Sequence, residues 1–116
     1  MSTTLLIVTV TAIVANTAIA IADLKRASFV VANSREVNVP ESWLLVLATL
    51  KLAASAGLLL GMLGVPRIGI AAGIGLVLFY IGAITAHVIA GVFYNIAFPG
   101  VFLLLAVGSL VGVVAS

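Results

Sequence analysis

The apolar positions of this chain do not form amphipathic stripes. They form four nearly unbroken stretches separated by short polar breaks. The first, over about residues 3–22, has no charge, and the second, over about 43–63, has one, Lys51. The third, over about 68–90, has one titratable side chain, His87, and the fourth, over about 96–115, has none. Each is close to the roughly 20 residues that a helix needs to cross the hydrocarbon core of a bilayer. The pattern predicts four transmembrane helices in one domain over residues 1–116. In the last of them Pro99 falls in the first turn, where a missing N–H is harmless, and Asn95 stands where a side chain caps a helix.

The breaks set the topology. Residues 23–42 make the longest connection and carry Asp23, Lys25, Arg26, Arg35, Glu36 and Glu41. Residues 64–67, Gly-Val-Pro-Arg, read as a tight turn, and the connection around Gly91 is short and uncharged. Short links make successive helices antiparallel. The expected fold is therefore all-α, an integral membrane four-helix up-down-up-down bundle. Ala18-Ile19-Ala20 and Ala20-Ile21-Ala22 resemble signal cleavage sites. No basic residue precedes the first stretch, however, and it is longer than a signal core, so it is expected to stay as a helix.

Composition narrows the solvent and the chemistry. Of the 116 residues 65% are hydrophobic and 7% charged, and the mean hydropathy is +1.46, whereas a soluble domain is about a quarter charged. The partner of such a surface is a lipid bilayer. A net charge of +2 leaves no basic face for nucleic acid. With no cysteine, one histidine and three acids, thiolate chemistry is excluded and no metal site is expected.

Small residues recur four apart: Ala53, Gly57 and Gly61 on the second stretch, Gly69 and Gly73 on the third, Gly108 and Gly112 on the fourth. In lipid such spacing lets helix backbones approach closely, within a protomer or between protomers.

Depth places the polar groups. Alternating helices put the first and third connections on one membrane face. From that face Asn16 lies seven residues below Asp23 and Lys51 eight below Trp43, roughly 10–12 Å at the helical rise. His87, Tyr94 and Asn95 lie near the same side, so Asn16, Asp23, Lys51, His87, Tyr94 and Asn95 form a candidate one-sided pocket. Lys51 has two readings: it snorkels to the headgroups, or it turns inward toward Asp23, Asn16 or His87. His87 is either an interfacial hydrogen-bonder or a proton carrier. Phe29, Trp43, Phe93, Tyr94 and Phe98 read as an interfacial aromatic belt. Tyr80, near the middle of the third helix, needs a partner for its hydroxyl. Three cations in the long connection against Arg67 opposite place that connection in the cytoplasm.

Several runs resemble the DoxX-like family. They are Val39-Pro40-Glu41-Ser42-Trp43-Leu44-Leu45, Leu50-Lys51-Leu52-Ala53 and Gly57-Leu58-Leu59-Leu60-Gly61 in the second helix, then Val65-Pro66-Arg67-Ile68-Gly69. Ile81-Gly82-Ala83-Ile84-Thr85-Ala86-His87 and Tyr94-Asn95-Ile96-Ala97-Phe98-Pro99-Gly100 complete the pattern. The resemblance implies a small four-helix protein of the bacterial plasma membrane, with Asp23, Lys51, His87 and Asn95 at the matching positions. It links the chain to a wider group associated with quinone-dependent sulfur oxidation and membrane oxidoreductase complexes. Where wider-family members often carry an acid within the second helix, this chain has Lys51.

Three functions compete. The first is an accessory subunit of a membrane oxidoreductase, with a quinone or other lipid-soluble ligand in the polar half. Lys51 and His87 would then bond a carbonyl or relay a proton, and electrons would come from a partner or a bound cofactor, since no intrinsic one is expected. The second is a non-catalytic assembly protein whose glycine faces pack on a second copy or another membrane protein. The third is a small multidrug-type transporter, a class that shares a membrane-buried glutamate on its first helix; this first helix has none.

Overall fold

Inside hydrocarbon no water satisfies a backbone amide, so each spanning segment must close its own hydrogen bonds. The computed structural model describes residues 1–115, and there the chain does so with helices. They are α1 (Thr3–Leu24), α2 (Ser28–Glu36), α3 (Leu44–Met62), α4 (Pro66–Ala90) and α5 (Ala97–Ala115), with a 3-10 turn, Glu41–Trp43, leading into α3. Four of them, α1, α3 with its leading turn, α4 and α5, are long and apolar enough to span a membrane. The molecule measures 39 × 24 × 19 Å, its long axis close to the full thickness of a bilayer, about 40–45 Å with headgroups.

Local chemistry sets the ends. The Ser2 hydroxyl accepts from the Leu5 amide at 3.2 Å and caps α1. Pro66 takes the first position of α4, where its fixed φ suits the helix. The helix therefore begins two residues before the expected 68, and the turn is Leu63, Gly64 and Val65. Gly91 closes α4 in the left-handed region, φ 71°, while the Val92 amide bonds back to the His87 carbonyl at 2.9 Å. Pro99 lies in the first turn of α5. Asn95 does not cap that helix: its amide turns toward Asn33 and its Oδ1 has no partner.

The spanning helices form a closed ring in which α1 packs on α3, α3 on α4, α4 on α5, and α5 on α1. The usual distribution of residues is inverted. Large aliphatics such as Ile7, Val14, Leu45, Leu78 and Leu104 point outward. The buried stripe of α1 is Thr9, Ala12, Asn16, Ala20 and Asp23. With lipid outside, burying a leucine gains little, so small residues that bring backbones together and polar ones that need partners share the interior with Leu44, Leu58, Leu76 and Phe102.

Close packing is concentrated at the end of the bundle that holds the Gly64 turn. A Cβ on Gly61 would lie 2.6 Å from the Gly69 Cα, and one on Gly57 2.7 Å from the Ala72 Cβ. On the other flank, Gly108 faces Val8, Gly112 faces Thr9, and Gly73 faces Leu110. Ala53 is exposed and takes no part in these contacts. Replacing Gly61 by valine is expected to destabilise the bundle by about 1–3 kcal/mol, as for other overpacked cores. Gly75, with nothing within 4 Å of an added Cβ, should tolerate alanine with unchanged or slightly raised stability. Thermal unfolding in detergent micelles, followed by helical circular dichroism, checks both.

Candidate functional site

Steps of three and four residues carry each functional side chain to the inner face of its helix. On α1 these steps bring Asn16 and Asp23 inward; on α3 they bring Leu44, Ala48, Lys51 and Ser55; on α4, Tyr80 and His87 stand two turns apart. Lys51 Nζ donates to Asp23 Oδ2 at 2.8 Å, with side chains only 9% and 3% exposed. Snorkelling and pairing prove to be one movement. The four-carbon stem rises from within α3 toward the headgroup end and meets the carboxylate in the last turn of α1. The ammonium also lies 5.3 Å from the centroid of the Phe79 ring, a cation–π contact. α1 runs to Leu24 rather than 22, which draws Asp23 out of the connection and into the bundle.

Asn16 is engaged elsewhere. Its Nδ2 donates to the Ala12 carbonyl at 2.8 Å, and its Oδ1 accepts from the Tyr80 hydroxyl, which reaches it from the opposite side of the ring of helices. Asn16 is fully buried and lines neither of the two cavities at the polar end. It ties α1 to α4 and stands apart from the pocket proposed from depth alone.

Two cavities occupy the polar end. The larger, about 440 Å³, is walled by Trp43, Phe79, Tyr80, His87 and Phe98 around the Asp23–Lys51 pair. The smaller, about 310 Å³, holds Phe29, Tyr94 and Asn95. They share Asp23, Val30, Asn33, Lys51 and Phe98, so the ion pair stands at their junction. Both volumes fall in the range of small-molecule sites, about 300–1,000 Å³. The aromatic wall is continuous: Phe79 meets Tyr80 edge-on at 5.0 Å, Tyr80 lies 5.3 Å from Phe102, and Phe102 stacks on Phe98 at 4.9 Å. His87 Nδ1 bonds the Ala83 carbonyl at 2.8 Å, and its Nε2 is buried without a partner. Among the described residues no group of three or more His, Asp or Glu side chains gathers as a metal site would require.

The sequence pattern does not announce α2, because nine residues are too few for a membrane-length window. A shorter window carries the signal: Val30, Ser34 and Val37 are the inward positions at helical spacing. The helix supplies Val30, Asn33 and Ser34 to the cavities, and polar contacts pin it. Asn95 Nδ2 donates to Asn33 Oδ1 at 3.0 Å, the Tyr94 hydroxyl to Glu36 Oε2 at 2.5 Å, and the Ser34 hydroxyl to the Val39 carbonyl at 2.6 Å. Glu41 bridges Arg26 at 3.4 Å and Arg35 at 3.2 Å; these exposed pairs orient the loop and add little energy.

Two outcomes test this arrangement. Lys51→Met strands the Asp23 carboxylate in an apolar interior and should cost about 3 kcal/mol or more, whereas pairing it with Asp23→Leu should recover most of that loss. Denaturant titrations of the two single variants and the double variant in micelles measure it. The hydrogen bond to Glu36, with burial and the Glu36 charge as lesser causes, holds the Tyr94 hydroxyl above its ordinary range. Because this raised pKa belongs to the folded state, the contact contributes fully below the free tyrosine value, about 10. It is lost as pH rises through the raised one. Tyrosinate absorbance should show one late-titrating exposed tyrosine, absent from Tyr94→Phe.

No curated protein and no solved structure matches the chain. Residues 7–109 match the DoxX-like family, a span that reaches into all four apolar helices and contains the Lys51–Asp23 pair and the lining of both cavities. This multi-pass helical membrane protein therefore belongs to the DoxX-like family.

Proposed function

We propose that the protein serves a membrane oxidoreductase of the bacterial plasma membrane as an accessory subunit, binding a quinone or similar lipid-soluble ring compound beneath α2. The observation that carries this reading is the larger cavity, whose aromatic walls converge on one buried ion pair and one histidine with a free ring nitrogen. The residues fit a flat ring. Phe79 and Phe98 offer faces for stacking, the volume of about 440 Å³ admits the ring with part of an apolar tail, and Lys51 and His87 supply the polar contacts that fix its orientation. The tail of such a molecule is soluble in the surrounding lipid, so access needs no aqueous route. The chain's part is to bind and orient; electrons pass to or from a partner.

A second reading, assembly, draws on a different feature. A groove of about 560 Å³ between α3 and α4 is floored by Ala53, Ala54, Gly57, Ala71, Ala72 and Gly75. Small residues at a lipid-facing groove suit the close approach of another helix, from a second copy or a partner protein.

Trp43 is the sole tryptophan of the chain and lines the larger cavity, which provides an internal reporter. Duroquinone added to the protein in nanodiscs should quench its fluorescence along a saturating curve, and Lys51→Met, alone or paired with Asp23→Leu, should weaken that saturable part about tenfold, the value of one charge-assisted contact. Linear quenching, identical in parent and variants, would mean collision from the lipid and would defeat the proposal.

A further inference from the structure

Hydrogen-bond donors and acceptors are unbalanced around this cavity. A backbone carbonyl carries no hydrogen, so the 2.8 Å contact between His87 Nδ1 and the Ala83 carbonyl fixes the ring proton on Nδ1. The neutral imidazole then has a bare lone pair on Nε2, and that atom is buried with no partner. The nearby hydroxyls are committed, that of Tyr80 to Asn16 and that of Ser34 to the Val39 carbonyl. The Lys51 ammonium gives one N–H to Asp23 and stands over the face of Phe79, and a ring hydroxyl, unlike a carbonyl, can accept from it while donating to His87 Nε2. The adjoining cavity repeats the imbalance: Asn95 gives its Nδ2 to Asn33, and its Oδ1 is buried and unpaired. In a lipid-surrounded interior an unpaired acceptor is costly, and a ligand that brings a donor removes that cost. A carbonyl oxygen cannot do so, since it sets a second lone pair against the first.

We infer that the site selects a hydrogen-bond donor: an apolar ring bearing a hydroxyl, of the hydroquinone or phenol class, its O–H directed at His87 Nε2, in preference to the matching carbonyl compound. The inference rests on the ring-binding reading above and narrows it to the reduced form of the ring. In a membrane that holds both forms, the reduced one fills the cavity.

The test uses three molecules of nearly one shape: durohydroquinone, its dimethyl ether and duroquinone. Each is equilibrated anaerobically by dialysis against the full chain in nanodiscs, with empty nanodiscs as the reference for partition into lipid. Durohydroquinone should be retained about tenfold more tightly than either compound lacking a donor, the ratio expected for one hydrogen bond to a buried acceptor. His87→Leu should bring the three within about twofold of one another while duroquinone retention holds. The ranking on the unmodified chain decides the matter even where that variant fails to fold. Equal retention of the three, or tighter retention of duroquinone, overturns the donor preference and leaves ring binding standing. Retention of none above empty nanodiscs overturns both.

Discussion

Water is absent from the hydrocarbon core, so a polar group placed there has only the chain itself to bond. That constraint reaches every level of this molecule. It makes the spanning segments helical. It also folds the hydroxyls of Thr9, Thr11, Thr17, Thr49, Thr85 and Ser109 back onto carbonyls four residues earlier. And it turns Asn16, Asp23, Lys51 and Tyr80 toward partners across the bundle, Lys51 to Asp23 and Tyr80 to Asn16. The same constraint makes breaking one of these contacts costly, because a bereft partner has nowhere else to go.

The two ends of the bundle consequently differ. Around the Gly64 turn, Gly57, Gly61, Gly69, Gly73, Gly108 and Gly112 let the four helices close on one another nearly backbone to backbone. Toward the other end the inward positions pass to Tyr80, Phe102 and His87, with Phe79 and Phe98 beside them. Ring-sized side chains hold those helices apart, and the two cavities lie between them. A tight end and a wedged-open end thus share one bundle, the first keeping the helices in register and the second holding the two cavities.

α2 completes that open end. It contributes no span, yet Val30 and Asn33 line both cavities. Its attachments to Tyr94 and Asn95 are polar and sit at the rim. The Tyr94 contact is exposed and the Asn95 contact only part-buried, in contrast to the buried pair beneath them. The roof of the site is thus held by polar side-chain contacts near the surface and its floor by a buried ion pair.

Hydropathy alone specified the four crossings, their alternation and the gathering of polar groups near one face, because span length and the cost of charge in lipid act on each segment separately. The small-residue spacings likewise marked which stretches could approach closely. Pairing was different. Equal depth set Asn16 and Lys51 side by side, but a lysine stem is long enough to climb to Asp23, and Tyr80 reaches Asn16 from the far side of the ring. Neither helix rotation nor side-chain reach is written in a one-dimensional pattern. α2 stayed hidden because its stability comes from packing on the bundle and from Asn95 and Tyr94, about sixty positions further along the chain, rather than from its own nine residues, fewer than an isolated helix needs. The division of the polar end into two cavities sharing one ion pair was decided only when the four helices met.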